Sequence, residues 1–182
     1  TFSVVAELNK GPGNITVTPA GDIIVSLHQF YGDDVRVARV DNNARLTPFA
    51  KAANVDSVLG VQADASGVVW LLDNAMRNGE TRRLVGWLAS EDRVVVDIDL
   101  TSVTTDQSFL NDLAVDPVTK TAYVADPAGG ADASIIVVDL VGGGVRRVLQ
   151  GHESVTPEDL DLVIDGSAVR IRADDGSEIR PR

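Results

Sequence analysis

Three stretches of this 182-residue chain repeat one pattern, and the repeat limits what the chain can fold into. They read GNITVTPAGDIIVSLHQF from Gly13, LGVQADASGVVWLLDN from Leu59 and LNDLAVDPVTKTAYVADP from Leu110. Each has an alternating segment, a tight turn, and a second segment dominated by β-branched or aromatic residues, which is the pattern of a β-hairpin. A second hairpin follows each first one, beginning at Val35, Arg83 and Ser134. Gly21 and Gly67 lie 46 residues apart, Asp64 and Asp116 lie 52 apart, and Asp41 and Asp139 lie 98 apart, or two steps of 49. Four short strands per step of this length is the signature of propeller blades. The chain therefore reads as all-β, a propeller type with about three four-stranded blades. A helical reading fails because runs such as 135–140 are short, β-branched and bounded by Gly or Asp.

The repeat divides the chain into blades at 13–52, 53–104 and 105–150. Residues 151–182 form an additional hairpin region with turns at Asp165-Gly166 and Asp175-Gly176. Residues 1–12 hold a strand at 3–8 that is expected to pair with the last blade of a ring. Thr156-Pro157-Glu158-Asp159 predicts one short helical turn.

Composition narrows the partners. Hydrophobic residues make up 44% of the chain, enough for a core, yet no apolar run reaches membrane-spanning length. No basic segment followed by an apolar one opens the chain at Thr1, so a secretory signal is either lacking or already removed. The absence of cysteine excludes disulfides, thiol nucleophiles and Cys-ligated metal. The net charge of −11 repels phosphate backbones and anionic lipid, so neither nucleic acid nor a membrane is an expected partner. Most of the acid is Asp, which suits a solvated, turn-rich surface.

In a propeller, the first strand of each blade starts at one face of the ring and the second strand ends there. Residues at those places converge on the channel mouth, a concave site built by several blades. The first set is Asn14, Gly60, and Asn111 with Asp112; the second is His28 with Gln29, Asp73 with Asn74, and Asp126. Asn111 and Asp112 offer oxygen ligands for a divalent metal such as Ca²⁺, or else bond strand-end backbone groups. Asp73 and Asn74 would bind a polar ligand or a cation, or else form a turn. His28 and Asp112 are the candidate catalytic groups, His28 as a general base. Phe30 and Tyr31 could stack on an aromatic or amine ligand. The alternative for His28 is a hydrogen-bonded structural histidine over packed aromatics. Three further features carry no site: the Asn14-Ile15-Thr16 sequon begins an inner strand, Gly142-Gly143-Gly144 is a hairpin turn, and Asp174-Asp175-Gly176 lacks EF-hand spacing.

The stretches GNITVTPAGDIIVSLHQFY, DSVLGVQADASGVVWLLDN, FLNDLAVD, AYVADP, VLQG and PEDLDLVIDG resemble the bacterial branch of the yellow / major royal jelly protein family. The chain is similar, more distantly, to the gluconolactonase and senescence-marker-protein group. The resemblance implies a six-bladed propeller of which this chain covers the N-terminal half. The other half is then a separate chain, a continuation, or a second copy. It also implies a small-molecule pocket that serves metal-assisted lactone hydrolysis, a dopachrome-tautomerase-like conversion, or retention of aromatic amines without turnover. A purely structural propeller is the remaining alternative. Asn111 takes the place of a metal-binding Asn of the gluconolactonase-like relatives, whereas Asn14 stands where their Glu ligand would be. Export to the periplasm or outside the cell is expected from the same resemblance.

Overall fold

A computed structural model describes residues 2–8, 11–27, 34–76, 79, 81–172 and 175–180. Twelve of its strands form three four-stranded antiparallel meanders. The first is β1 (Ile15–Val17), β2 (Ile23–Ser26), β3 (Val37–Val40) and β4 (Leu46–Pro48). The second is β5 (Val58–Ala63), β6 (Val68–Asp73), β7 (Arg83–Leu88) and β8 (Arg93–Asp99). The third is β9 (Asp112–Asp116), β10 (Thr121–Asp126), β11 (Ser134–Asp139) and β12 (Val145–Val148). Each strand pairs with its sequence neighbour, as in a propeller blade.

Blade stacking explains why β6 reads as an almost unbroken apolar run. Along β6, Val69 and Leu71 face the first blade and join Ile24, Val37 and Phe49 in one buried cluster. Trp70 and Leu72 face the third blade and join Leu110, Val124 and Ile136 in another. Each such side chain, fully buried, contributes roughly 1.5–3 kcal/mol. Gly86 makes room for the Trp70 ring, whose Cζ3 atom would lie 3.0 Å from a Cβ there. The first blade also buries Val25, Leu27 and Ala38 on the face turned away from the second blade.

The inner strands are also stitched together by polar side chains. Ala63 N–H donates to Thr16 Oγ1 at 2.8 Å, from the second blade to the first. Val115 N–H donates to Gln62 Oε1 at 2.8 Å, from the third blade to the second. The same device thus recurs at both blade junctions.

Short 3₁₀ turns at Lys51–Ala53 and Thr101–Val103 follow the outer strands of the first two blades; the repeat pattern did not predict them. The helical turn expected at Thr156–Asp159 is not formed. The N–H groups of Val155 and Thr156 bond the His152 carbonyl instead, so the turn lies upstream. Pro157 disfavours the α conformation at Thr156, which limits a turn from continuing across it. Beyond it come two small hairpins, β13 (Val163–Ile164) with β14 (Ser167–Ala168) and β15 (Ile171–Arg172) with β16 (Glu178–Ile179). Asp165 and Gly166 take φ of 50° and 78°, the left-handed pair that a two-residue hairpin loop requires. Residues 2–8 belong to no strand. Among the described residues, no helix is long and apolar enough to cross a membrane.

Candidate functional site

The antiparallel meander brings the start of each first strand and the end of each second strand to one face. At that face the first strands of all three blades meet. Asn14 precedes β1, Gly60 lies within β5, and Asp112 opens β9. Asn14 Nδ2–H donates to Asp112 Oδ1 at 2.9 Å, joining residues 98 positions apart. The same Asp112 oxygen accepts the N–H of Leu113 at 2.8 Å. The side chain of Asp112 is exposed, and among the described residues no ion pair engages it. Asn111 is exposed beside it, and its backbone N–H donates to Ala125 O at 3.0 Å.

Asp73, Asn74 and Asp126 reach the same face but turn inward, and each is buried. Asp73 accepts three backbone N–H groups, from Asp56 at 2.7 Å, Ser57 at 2.9 Å and Ala75 at 3.0 Å. Arg83 Nη2 lies 3.7 Å from the same carboxylate. Asp126 repeats the arrangement one blade on. It accepts the N–H of Phe109 at 2.9 Å and of Ala128 at 3.2 Å, and the Ser108 hydroxyl at 2.6 Å. Arg147 Nη1 pairs with it at 2.7 Å. Both carboxylates hold the loop before their blade's first strand to the loop after its second. Asn74 Nδ2–H reaches the Leu110 carbonyl of the next blade at 3.4 Å. These three residues fix the backbone that presents Gly60, Asn111 and Asp112. By the Gly21-to-Gly67 register, the first blade has buried Leu27 where the second has Asp73.

His28, Gln29, Phe30 and Tyr31 lie outside the described residues. His152 is exposed on a loop, with Nδ1 2.9 Å from Ser154 Oγ. Among the described residues, no three His, Cys, Asp or Glu side chains gather as a metal site. Asp112, Asn111 and Asn14 supply one carboxylate and two amides, and Asn14 already bonds Asp112. That set alone falls short of the about six to eight oxygens that Ca²⁺ takes. A separate groove of about 1140 Å³ lies between the loop after β10 and the tail hairpins, lined by Phe109, Gly130, Ser154, Leu160 and Ile179 among others. None of Asn14, Gly60 or Asp112 lines it.

The sequence placed Asn14, Gly60 and Asp112 at one face through strand order alone. It missed Ser26, Thr16 and Gln62, whose side chains cross between blades. Their only signal is a polar residue at an inward position of an otherwise apolar strand.

The family model described as Major royal jelly protein matches residues 56–178. No curated protein matches the chain. Among solved structures, the Hydrazine Synthase of Kuenenia stuttgartiensis is similar, with 18% identity over 80% of this chain and 37% of that chain, at a TM-score of 0.52. A Quinonprotein alcohol dehydrogenase-like protein from Bacteroides thetaiotaomicron VPI-5482 shares 10% identity over 74% of this chain and 33% of that one, at a TM-score of 0.43. The chain thus spans 37% and 33% of the lengths of these two structures. At 18% identity the likeness to the hydrazine synthase concerns the fold alone.

Proposed function

The chain belongs to the major royal jelly protein family, and from that premise we propose that it contributes a small-molecule binding site where the first strands of its blades begin. Asp112 is the charged group that meets the ligand. The observation supporting this reading is the Asn14–Asp112 hydrogen bond of 2.9 Å, which places an exposed carboxylate between the first and third blades. Asn14 and the Leu113 N–H occupy Oδ1. The bond orients the carboxylate, and among the described residues no hydrogen-bond donor engages Oδ2, which is open to a ligand's donor.

A carboxylate with no cationic partner among the described residues suits a ligand that brings its own positive charge. The net charge of −11 draws such a ligand in and repels anions. An aromatic amine meets both requirements if Phe30 and Tyr31 supply the stacking surface that the sequence suggests. Secretion or periplasmic export goes with this reading, and fractionation of the producing cells tests it.

Isothermal titration with dopamine as the probe tests the site. The expected result is saturable binding that weakens at least about tenfold in Asp112→Asn, or roughly 1.4 kcal/mol. Equal affinity in the two proteins overturns the reading. Conversion of dopachrome or of a gluconolactone by the chain, lost in His28→Ala, would instead make the face an enzyme's.

A further inference from the structure

Three hydrogen bonds and one close backbone contact join all three blades at the mouth. Ser26, at the end of β2, is fully buried. Its hydroxyl accepts the backbone N–H of Asn14 at 2.9 Å and donates to the Leu59 carbonyl of the second blade at 2.6 Å. Asn14 in turn reaches Asp112 through its side chain at 2.9 Å. The Leu59 carbonyl is available because β5 is irregular there, its register against β6 shifting between Val58 and Val61. Such a bulge re-aims the strand and releases a backbone group from the ladder.

Gly60 completes the junction. A Cβ there would lie 3.0 Å from the Asp112 Cα, 3.2 Å from the Asn111 carbonyl oxygen and 2.9 Å from Leu113 Cδ2. Two of these three neighbours are backbone, so they cannot rotate aside. Gly60 is not among the glycines with positive φ, so its lack of a side chain serves close approach rather than backbone freedom. Any added separation between β5 and β9 is carried directly to Asp112.

We propose that Ser26 and Gly60 are positioning residues that set the span between Asn14 and Asp112, and so the width of the site. This rests on the reading that the ligand site lies at this face. Ser26 fixes Asn14 against the second blade, and Gly60 lets the third blade approach the same point. Neither needs to touch a ligand.

The test combines the NMR signal of the Asn14 side-chain amide with dopamine affinity. Asp112→Ala provides the signal of the broken pair. Ser26→Ala and Gly60→Ala are expected to move the Asn14 signal towards that reference and to weaken dopamine at least about tenfold. Val69→Ala, which removes buried core at the other end of β6, is the control for lost stability. It is expected to lower the melting temperature and leave both readouts in place. If Gly60→Ala does not fold, Ser26→Ala decides. An Asn14 signal unchanged in Ser26→Ala overturns the proposal, whatever the affinity does. So does a Val69→Ala signal that moves as far as that of Ser26→Ala. Equal dopamine binding by the wild type and Asp112→Asn removes the ligand reading alone, because the Asn14 signal still reports the positioning.

Discussion

Asp73 and Asp126 show how one side-chain type serves two ends within a single face. Each is a buried carboxylate bonded by its own blade's donors, whereas Asp112 is exposed and, among the described residues, is bonded through Oδ1 alone. Removing a buried partner of a charge pair costs more than the pair contributes, because the other charge is stranded. Asp126→Ala leaves Arg147, 11% exposed at its side chain, without its carboxylate. The expected loss is about 3–5 kcal/mol in urea unfolding, and a loss below about 1 kcal/mol would show that solvent replaces the carboxylate. The sequence put Asp73, Asp126 and Asp112 together because strand order brings all three to one face. It did not separate inward from outward carboxylates. The donors that capture Asp126 come from Phe109, 17 residues upstream, and Arg147, 21 residues downstream. No local pattern carries those partners.

The hairpin turn is the element in which sequence and structure agree most closely, because its chemistry is local. Asp41, Asp64, Asp116, Asp139 and Asp175 all have carboxyls held below the usual Asp range. The main causes are the Arg45 and Asn43 N–H groups at Asp41, the Thr119 hydroxyl and Val118 N–H at Asp116, the Gly142 and Val141 N–H groups at Asp139, and the Ser177 hydroxyl and N–H at Asp175. At Asp64 burial acts most strongly and upward, but bonds from Ser66, the Trp70 indole and Val68 together outweigh it. A carboxyl lowered by folding stabilises the protein above its unfolded value, about 3.9 for Asp. That stabilisation is lost as pH falls through the folded values below it. Urea midpoints should therefore be level from pH 7 to about 5 and fall below about pH 4. Midpoints that rise on acidification would contradict the turn account. At Gly67, where φ is +84° and no atom lies within 4 Å of a added Cβ, alanine meets only backbone strain. Gly67→Ala is expected to cost about 1–2 kcal/mol in unfolding. The 3₁₀ turns, by contrast, were not legible. Lys51–Ala53 is flanked by Ala50 and Asn54 in the left-handed conformation, and neither alanine nor a lone asparagine announces that.

Across the whole molecule, the two outer blades present different faces. Pairing register puts Ile15, Val17, Ile23, Val25, Ala38 and Val40 on the side of the first blade turned away from the second. The corresponding side of the third blade carries Asp112, Asp116, Thr121, Tyr123 and Asp139 among its apolar residues. In a propeller such faces lie against further blades. Ile15 and Val17 are each 58% exposed, and uncovered apolar surface of this kind drives association. The 182-residue chain alone should sediment faster as its concentration rises, and Val17→Lys should reduce that effect. A sedimentation coefficient independent of concentration in both proteins would contradict it. The repeat length made the blades legible in the sequence, while the atoms that join them were not. The Asn14–Asp112 bond depends on how three blades stack, through the two buried clusters and the close approach at Gly60, rather than on either residue's neighbours in sequence. Mapping amide chemical shifts during a dopamine titration therefore tests the central claim most directly. The account predicts saturable shifts centred on Asn14, Gly60 and Asp112; shifts confined to the groove at Phe109, Gly130 and Ser154, or none at all, would contradict it.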